Sequence, residues 1–205
     1  MASPGRPPLD RAELAPILQA VMDLVSSKGS RQISYKDVAQ AAGVSVGKLQ
    51  HHFGTRDDLI REAFEHRLLR VTKRIQRIRE QPGSAAHRLS AAVEEATLRN
   101  TWQRSTIWID LLGRSLDSTA YRSLRDLVDV SWRRAFRQII RDGVDSGEFD
   151  ADVDVEDAVA RIVLTVDGIM VQIFVQGRER VTEEAPRLRG MLVATVESAL
   201  GVALD

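Results

Sequence analysis

The chain contains no cysteine. Disulfides, thiolate zinc sites and cysteine nucleophiles are thereby excluded. Net charge is missing too: 29 lysines and arginines balance 29 aspartates and glutamates. There is no global polybasic field, so any contact with nucleic acid has to come from a local patch. The opening MASPGRPPLD lacks the apolar stretch of a secretory signal. The most apolar run, AVARIVLTVDGIMVQIFV at 158–175, is broken by Arg161 and Asp167. It reads as a buried helix rather than a membrane span. A cytoplasmic protein with no membrane role is expected. Almost nothing alternates with period two, so strands are not expected.

What is present repeats at three and four. The 205 residues, 43% hydrophobic and 28% charged, suit one large or two small domains. Residues 1–8 form a Pro/Gly-rich flexible arm. A first helix is predicted at 10–28, with Ile17, Val21, Leu24 and Val25 on one face and Pro16 inside or near its start. Ser34-Tyr-Lys-Asp37 is a capping box opening a short helix to Ala42, Ser45 caps another at 46–53, and Thr55-Arg-Asp-Asp58 opens a long one to about 80. On that long helix Phe64, Leu68, Val71, Ile75 and Ile78 make a narrow apolar seam. Gln81-Pro-Gly-Ser84 is the clearest break and the expected domain boundary. The domains are therefore placed at 9–58, with 59–80 as a connecting helix, and 81–205. Further helices are predicted at 84–102, 104–116, 118–143, 154–177 and 182–200, with a turn over Gly143–Gly147. The fold class is all-α.

Residues 43–56, GVSVGKLQHHFGTR, raise three chemical possibilities. A phosphate-binding loop needs four residues between its glycine and Gly-Lys, then Ser or Thr. Here Val44, Ser45 and Val46 are the three residues between Gly43 and Gly47, and Leu49 follows the lysine. A metal site needs converging ligands, whereas His51 and His52 diverge by about 100° on a helix. His66 and His87 complete no zinc or di-iron pattern. No Gly-x-Ser-x-Gly elbow exists for a hydrolase. No catalytic residue, metal or cofactor is expected.

The third possibility is a helix-turn-helix. Residues 34–53 supply two short helices and the turn Ala42-Gly43-Val44-Ser45. On a wheel, Val46, Leu49 and Phe53 face the core, Gly47, Lys48, His51 and His52 face outward, and Gln50 lies on the flank. Lysine and histidine suit guanine or phosphate, and glutamine suits adenine. A plain surface helix with solvated polar side chains fits the same wheel.

The run from Ser34 to Leu59 resembles the DNA-binding signature of TetR-family transcriptional regulators: a Thr/Ser start, Val38-Ala39, Ala42-Gly-Val-Ser45, Gly47-x-Leu49, His51, Phe53, then Thr55 and Leu59. The resemblance implies that Ser34, Tyr35 and Lys36 hold phosphates and that Ser45 starts the reading helix. It implies that Lys48 and His51 face bases, with Gly47 giving clearance. His52, Thr55 and Arg56 would hold the far backbone. Arg6 would enter a minor groove, unless its arm is only a loose tail. Two positions depart from the pattern. Gln50 replaces the usual tyrosine, which puts a phosphate contact in doubt, and Arg56 replaces the usual lysine.

The second half is similar to the regulatory domain of the choline-responsive BetI type, at Trp108–Leu116, Trp132-Arg-Arg, Gly143–Phe149 and Val166–Ile169. This implies a homodimer made by the last two helices. Val159, Ile162, Val163, Val166, Ile169, Met170, Ile173, Leu188, Leu192 and Thr195 are the expected interface, although full burial within a monomer suits the same pattern. It also implies a small-molecule effector of unknown identity. Trp102, Trp108, Tyr121, Trp132, Phe136, Met170 and Phe174 would line its site, with Asp110 as polar anchor; ordinary core packing is the competing account of the aromatics. The reading is a sequence-specific DNA-binding regulator, a repressor released by its ligand from a near-palindromic double-stranded operator. A helical ligand-binding or scaffold protein with a vestigial DNA head is the alternative.

Overall fold

The computed structural model describes residues 11–97 and 101–202. All regular structure among them is helical. The chain forms two compact units that divide between Arg67 and Leu68.

The first unit holds α1 (Arg11–Lys28), α2 (Tyr35–Ala42), α3 (Val46–Phe53) and the start of α4 (Arg56–Arg79). Ile17, Leu18, Val21, Met22 and Val25 form the buried face of α1, and Pro16 lies inside that helix. They pack in a core with Val38, Leu49, Phe53, Leu59, Ile60 and Phe64. Each short helix begins on a hydroxyl, as the spacing predicts. The Ser34 hydroxyl accepts from the Asp37 N–H at 3.3 Å while the Asp37 carboxylate accepts from the Ser34 N–H at 2.7 Å. Ser45 accepts from the Lys48 N–H at 3.2 Å, and Thr55 from the Asp58 N–H at 3.1 Å. Gly43 closes α2 with φ +66°, a left-handed conformation in which most side chains are strained.

The second unit contains the rest of α4, then α5 (Ala85–Thr97), α6 (Thr101–Asp117), α7 (Thr119–Ser146), α8 (Val155–Gln176) and α9 (Val181–Leu200). Residues 98–100, inside the helix expected at 84–102, lie outside the described residues. α8 packs against α6, α7 and α9 and buries Val159, Ile162, Val163, Ile169 and Ile173. It is long and apolar enough to cross a membrane, but here it is the core helix of the unit. Ile78 belongs to the same cluster as Leu89, Phe136 and Ile162, so the end of α4 is part of this unit. That packing is why the units divide within α4 and not at the Gln81–Ser84 break.

Ion pairs tie the helices laterally. Glu95 of α5, 4% exposed, accepts from Arg74 of α4 at 3.1 Å and Arg104 of α6 at 2.7 Å. Arg88 of α5 meets Asp142 of α7 at 2.7 Å.

The segment after α7 differs from its expected form. α7 runs to Ser146, with Gly143 inside the helix rather than in a turn. Phe149 folds back so that a Cβ on Gly143 would lie 2.2 Å from its ring. Glu148 accepts from the Ala86 N–H at 3.1 Å at the start of α5, and the Asp150 N–H donates to the Leu200 carbonyl at 3.3 Å. Gly143→Ala should therefore force Phe149 from its seat and cost about 1–3 kcal/mol, read as a lowered thermal midpoint by circular dichroism.

Candidate nucleic-acid interface

α3 is anchored by Leu49 and Phe53, which are 0% and 6% exposed. Gly47, Gln50 and His51 are exposed, whereas Val46, Lys48 and His52 are half-buried. The outward face is thus turned relative to the wheel drawn from apolar residues alone. Lys48 leaves it because its Nζ pairs with Glu13 of α1 at 2.6 Å. His52 lies edge-on against Phe53, ring centres 4.6 Å apart. Gln50, assigned to the flank by the wheel, stands on the open face. A Cβ added to Gly47 would meet nothing within 4 Å among the described residues, so none of them requires a glycine there.

The neighbouring polar residues have internal duties. The Tyr35 hydroxyl donates to the Gly54 carbonyl at 3.0 Å, tying the start of α2 to the α3–α4 turn. Burial first, then the nearby Asp58 carboxylate, pushes its pKa up. Arg56 donates from Nη1 to the carbonyls of Arg31 at 3.1 Å and Ile33 at 3.2 Å, and pairs with Asp57. Lys36 is exposed, and the Ser34, Ser45 and Thr55 hydroxyls are engaged in caps. Arg6 lies outside the described residues. Sequence reasoning missed Glu13, for which no local spacing signals a partner 35 positions away.

In the second unit the aromatic set separates into pairs. Trp102 stacks on Phe174 with centroids 6.3 Å apart, and Trp132 on Phe136 at 5.5 Å. Phe136 is a core residue at 1% exposure. Asp110 accepts from Arg114 at 3.2 Å, and Arg114 also donates to the Tyr121 hydroxyl at 3.2 Å. Met170 is buried and its sulfur accepts from the Ser105 hydroxyl. Trp108 hydrogen-bonds the Asp167 carboxylate, whose pKa is nevertheless raised, chiefly by burial and then by Asp129.

Val159, Ile162, Val163, Ile169, Met170, Ile173, Leu188 and Leu192 are each 7% exposed or less in the single chain, so they form its own core. Val166 and Thr195 are half-buried, and Val196 is the buried residue of that turn. The apolar surface left open is Leu164, Val171, Phe174 and Val175 on α8 and Met191 on α9. α8 satisfies an internal core with its buried residues.

Two short helices joined by a tight turn, with exposed polar side chains on the second, have the form of a helix-turn-helix head. Among the described residues no group of three or more potential ligands could hold a metal ion. Residues 17–63 match the model for bacterial regulatory proteins of the tetR family, and residues 85–201 match that for the C-terminal domain of BetI-type transcriptional repressors. The chain belongs to the TetR family of transcriptional regulators. The transcriptional repressor KstR2 of Mycolicibacterium smegmatis is 24% identical over 180 residues, 85% of this chain and 84% of that protein. A transcriptional regulator from Saccharomonospora viridis, solved in complex with choline, shares the fold with a TM-score of 0.81 at 21% identity, covering 93% of this chain and 98% of that one. FadR of Bacillus subtilis, solved with stearoyl-CoA, has a TM-score of 0.66 at 17% identity, with coverages of 88% and 98%.

Hydrogen bonds from Lys28 first, then Ser34, hold the Asp37 carboxylate far below the usual aspartate range. A depressed folded-state pKa stabilises the fold above the unfolded value, and that contribution is lost as pH falls through the folded one. Asp37→Asn should reduce helix-turn-helix stability at neutral pH and flatten its loss on acidification below the aspartate range, read from denaturant melts at stepped pH.

Proposed function

We propose that the protein is a cytoplasmic, homodimeric repressor that grips a near-palindromic operator with two α3 helices and releases it on binding a small molecule. The observation that carries this reading is the open face of α3. The side chains of Gln50 and His51 have no hydrogen bond or ion pair among the described residues, and a Cβ on Gly47, exposed beside them, would meet none of the described atoms within 4 Å. Such side chains suit base edges in a major groove. Lys36 at the start of α2 and the N–H groups there suit phosphates.

The dimer rests on the face that the core leaves open. Leu164, Gly168, Val171 and Val175 follow one another at four, three and four positions along α8, and Gly190, Met191 and Ala194 accompany them on α9. A Cβ at Gly168 or Gly190 would meet nothing within 4 Å among the described residues, so both leave room for a second copy to approach. Two heads read one operator only when held about one helical turn, roughly 34–36 Å, or a multiple apart. A ligand with higher affinity for another spacing releases the DNA. The members of the aromatic set with open surface, half-buried Trp102, Trp108 and Trp132 and exposed Phe174, are the ones able to meet an effector, whereas Tyr121 and Phe136 are buried and Asp110 is paired with Arg114. Choline and stearoyl-CoA, seen in two proteins of this fold, are chemically unlike, so the fold does not select the effector.

Gel-shift titration on the DNA upstream of its own gene tests the reading: binding should weaken steeply with salt and exceed binding to random duplex. Equal binding to both, or no salt slope, overturns it. Gln50→Ala and His51→Ala should each cost about 1–3 kcal/mol of specific affinity. Leu164→Arg combined with Val175→Arg should give a monomer by sedimentation velocity, with operator binding lost in parallel.

A further inference from the structure

We propose that Glu13 sets specificity by withholding the Lys48 ammonium from DNA, so that sequence-independent attraction is suppressed and the neutral side chains of α3 do the reading. The proposal rests on the DNA-binding reading above. Lys48 lies on α3 beside Gly47, Gln50 and His51, all exposed, yet its own side chain is only 21% exposed. Its Nζ is 2.6 Å from the Glu13 carboxylate, which α1 brings in.

The same treatment extends across the head. Lys28 pairs with Asp37 at 2.7 Å, Arg56 with Asp57 at 3.1 Å, and Arg61 with Asp58 at 3.5 Å. Arg56 is further held by the Arg31 and Ile33 carbonyls. Sequence-independent affinity comes from cations that displace counterions from phosphates. A carboxylate on a DNA-facing head removes such a cation and adds repulsion of its own. A head selected for affinity alone has no use for it, whereas one selected for discrimination does. The hydrogen bonds of Gln50 and His51 to base edges do not depend on Lys48 being free, because a loosely docked, non-specific complex gains more from a mobile cation than a tightly registered one does.

The test compares the full-length wild type with Glu13→Gln by fluorescence anisotropy on the upstream operator fragment and on a random duplex of equal length, between 50 and 200 mM salt. Glu13→Gln should bind random duplex more tightly, with a log–log salt slope steeper by about 0.9, so that its gain at 50 mM exceeds that at 200 mM by about 3.5-fold. Its preference for the operator should fall, because the random duplex gains more than the operator does. Adding Lys48→Met to Glu13→Gln should abolish the gain. A folding defect lowers affinity and cannot produce these increases. If Glu13→Gln loses binding, Lys48→Met alone decides: operator affinity within about twofold of wild type and an unaltered salt slope support the proposal, and loss of operator binding overturns it. Wild-type preference for the operator with an unchanged slope and preference in Glu13→Gln overturns this inference alone. Absence of any wild-type preference overturns the repressor reading together with it.

Discussion

An eight-residue helix does not persist by itself in water, because so few internal hydrogen bonds cannot offset the cost of starting it. α3 is such a helix, and the reading surface depends on what holds it. Leu49 and Phe53 sink into the core made with α1 and α4, Ser45 closes one end and Gly54 the other. Tyr35 and Arg56 then tie the flanking turns to backbone carbonyls. These two positions look like phosphate contacts when read only as surface residues. In the structure their polar atoms hold the turns around α2 and α3 to backbone carbonyls.

The second unit solves a different problem. α8 is apolar on more than one side, and its neighbours α6, α7 and α9 cover only part of it. The core takes most of the apolar residues, and Leu164, Val171, Val175 and two glycines, Gly168 and Gly190, are left exposed. Burial of Glu95 between Arg74 and Arg104 adds directional contacts among α4, α5 and α6. A lone buried carboxylate would be costly, so the three side chains constrain one another's helices.

Much of this was legible in the residues. The caps at Ser34, Ser45 and Thr55 and the break at Gly43 obey local rules of spacing and stand as spacing predicts; of the seam, Phe64, Leu68, Ile75 and Ile78 are buried, while Val71 is half-buried. The family follows from the run Ser34–Leu59 for the same reason. What could not be read locally were the long-range choices. Lys48 looks free on a wheel because its partner Glu13 lies on another helix, and Gln50 looks peripheral because the wheel centres on Val46, which is only half-buried. The apolar residues of α8 and α9 were legible as buried, but hydropathy ranks burial without saying which body does the burying, and in the single chain most of them lie in its own core. Gly143 and Gly147 looked like one turn because two glycines four apart usually mark a loop, whereas Gly143 serves the Phe149 ring.

The short loop after α7 gives the second unit an order of events during synthesis. Glu148 holds the start of α5, Phe149 covers Gly143 and Asp150 holds the Leu200 carbonyl at the end of α9. That last contact cannot form until nearly the whole chain has left the ribosome. The first unit, complete at Arg67, has its entire core available earlier, by on the order of ten seconds at ordinary elongation rates. The head that recognises DNA is thus able to fold before the body that regulates it can close.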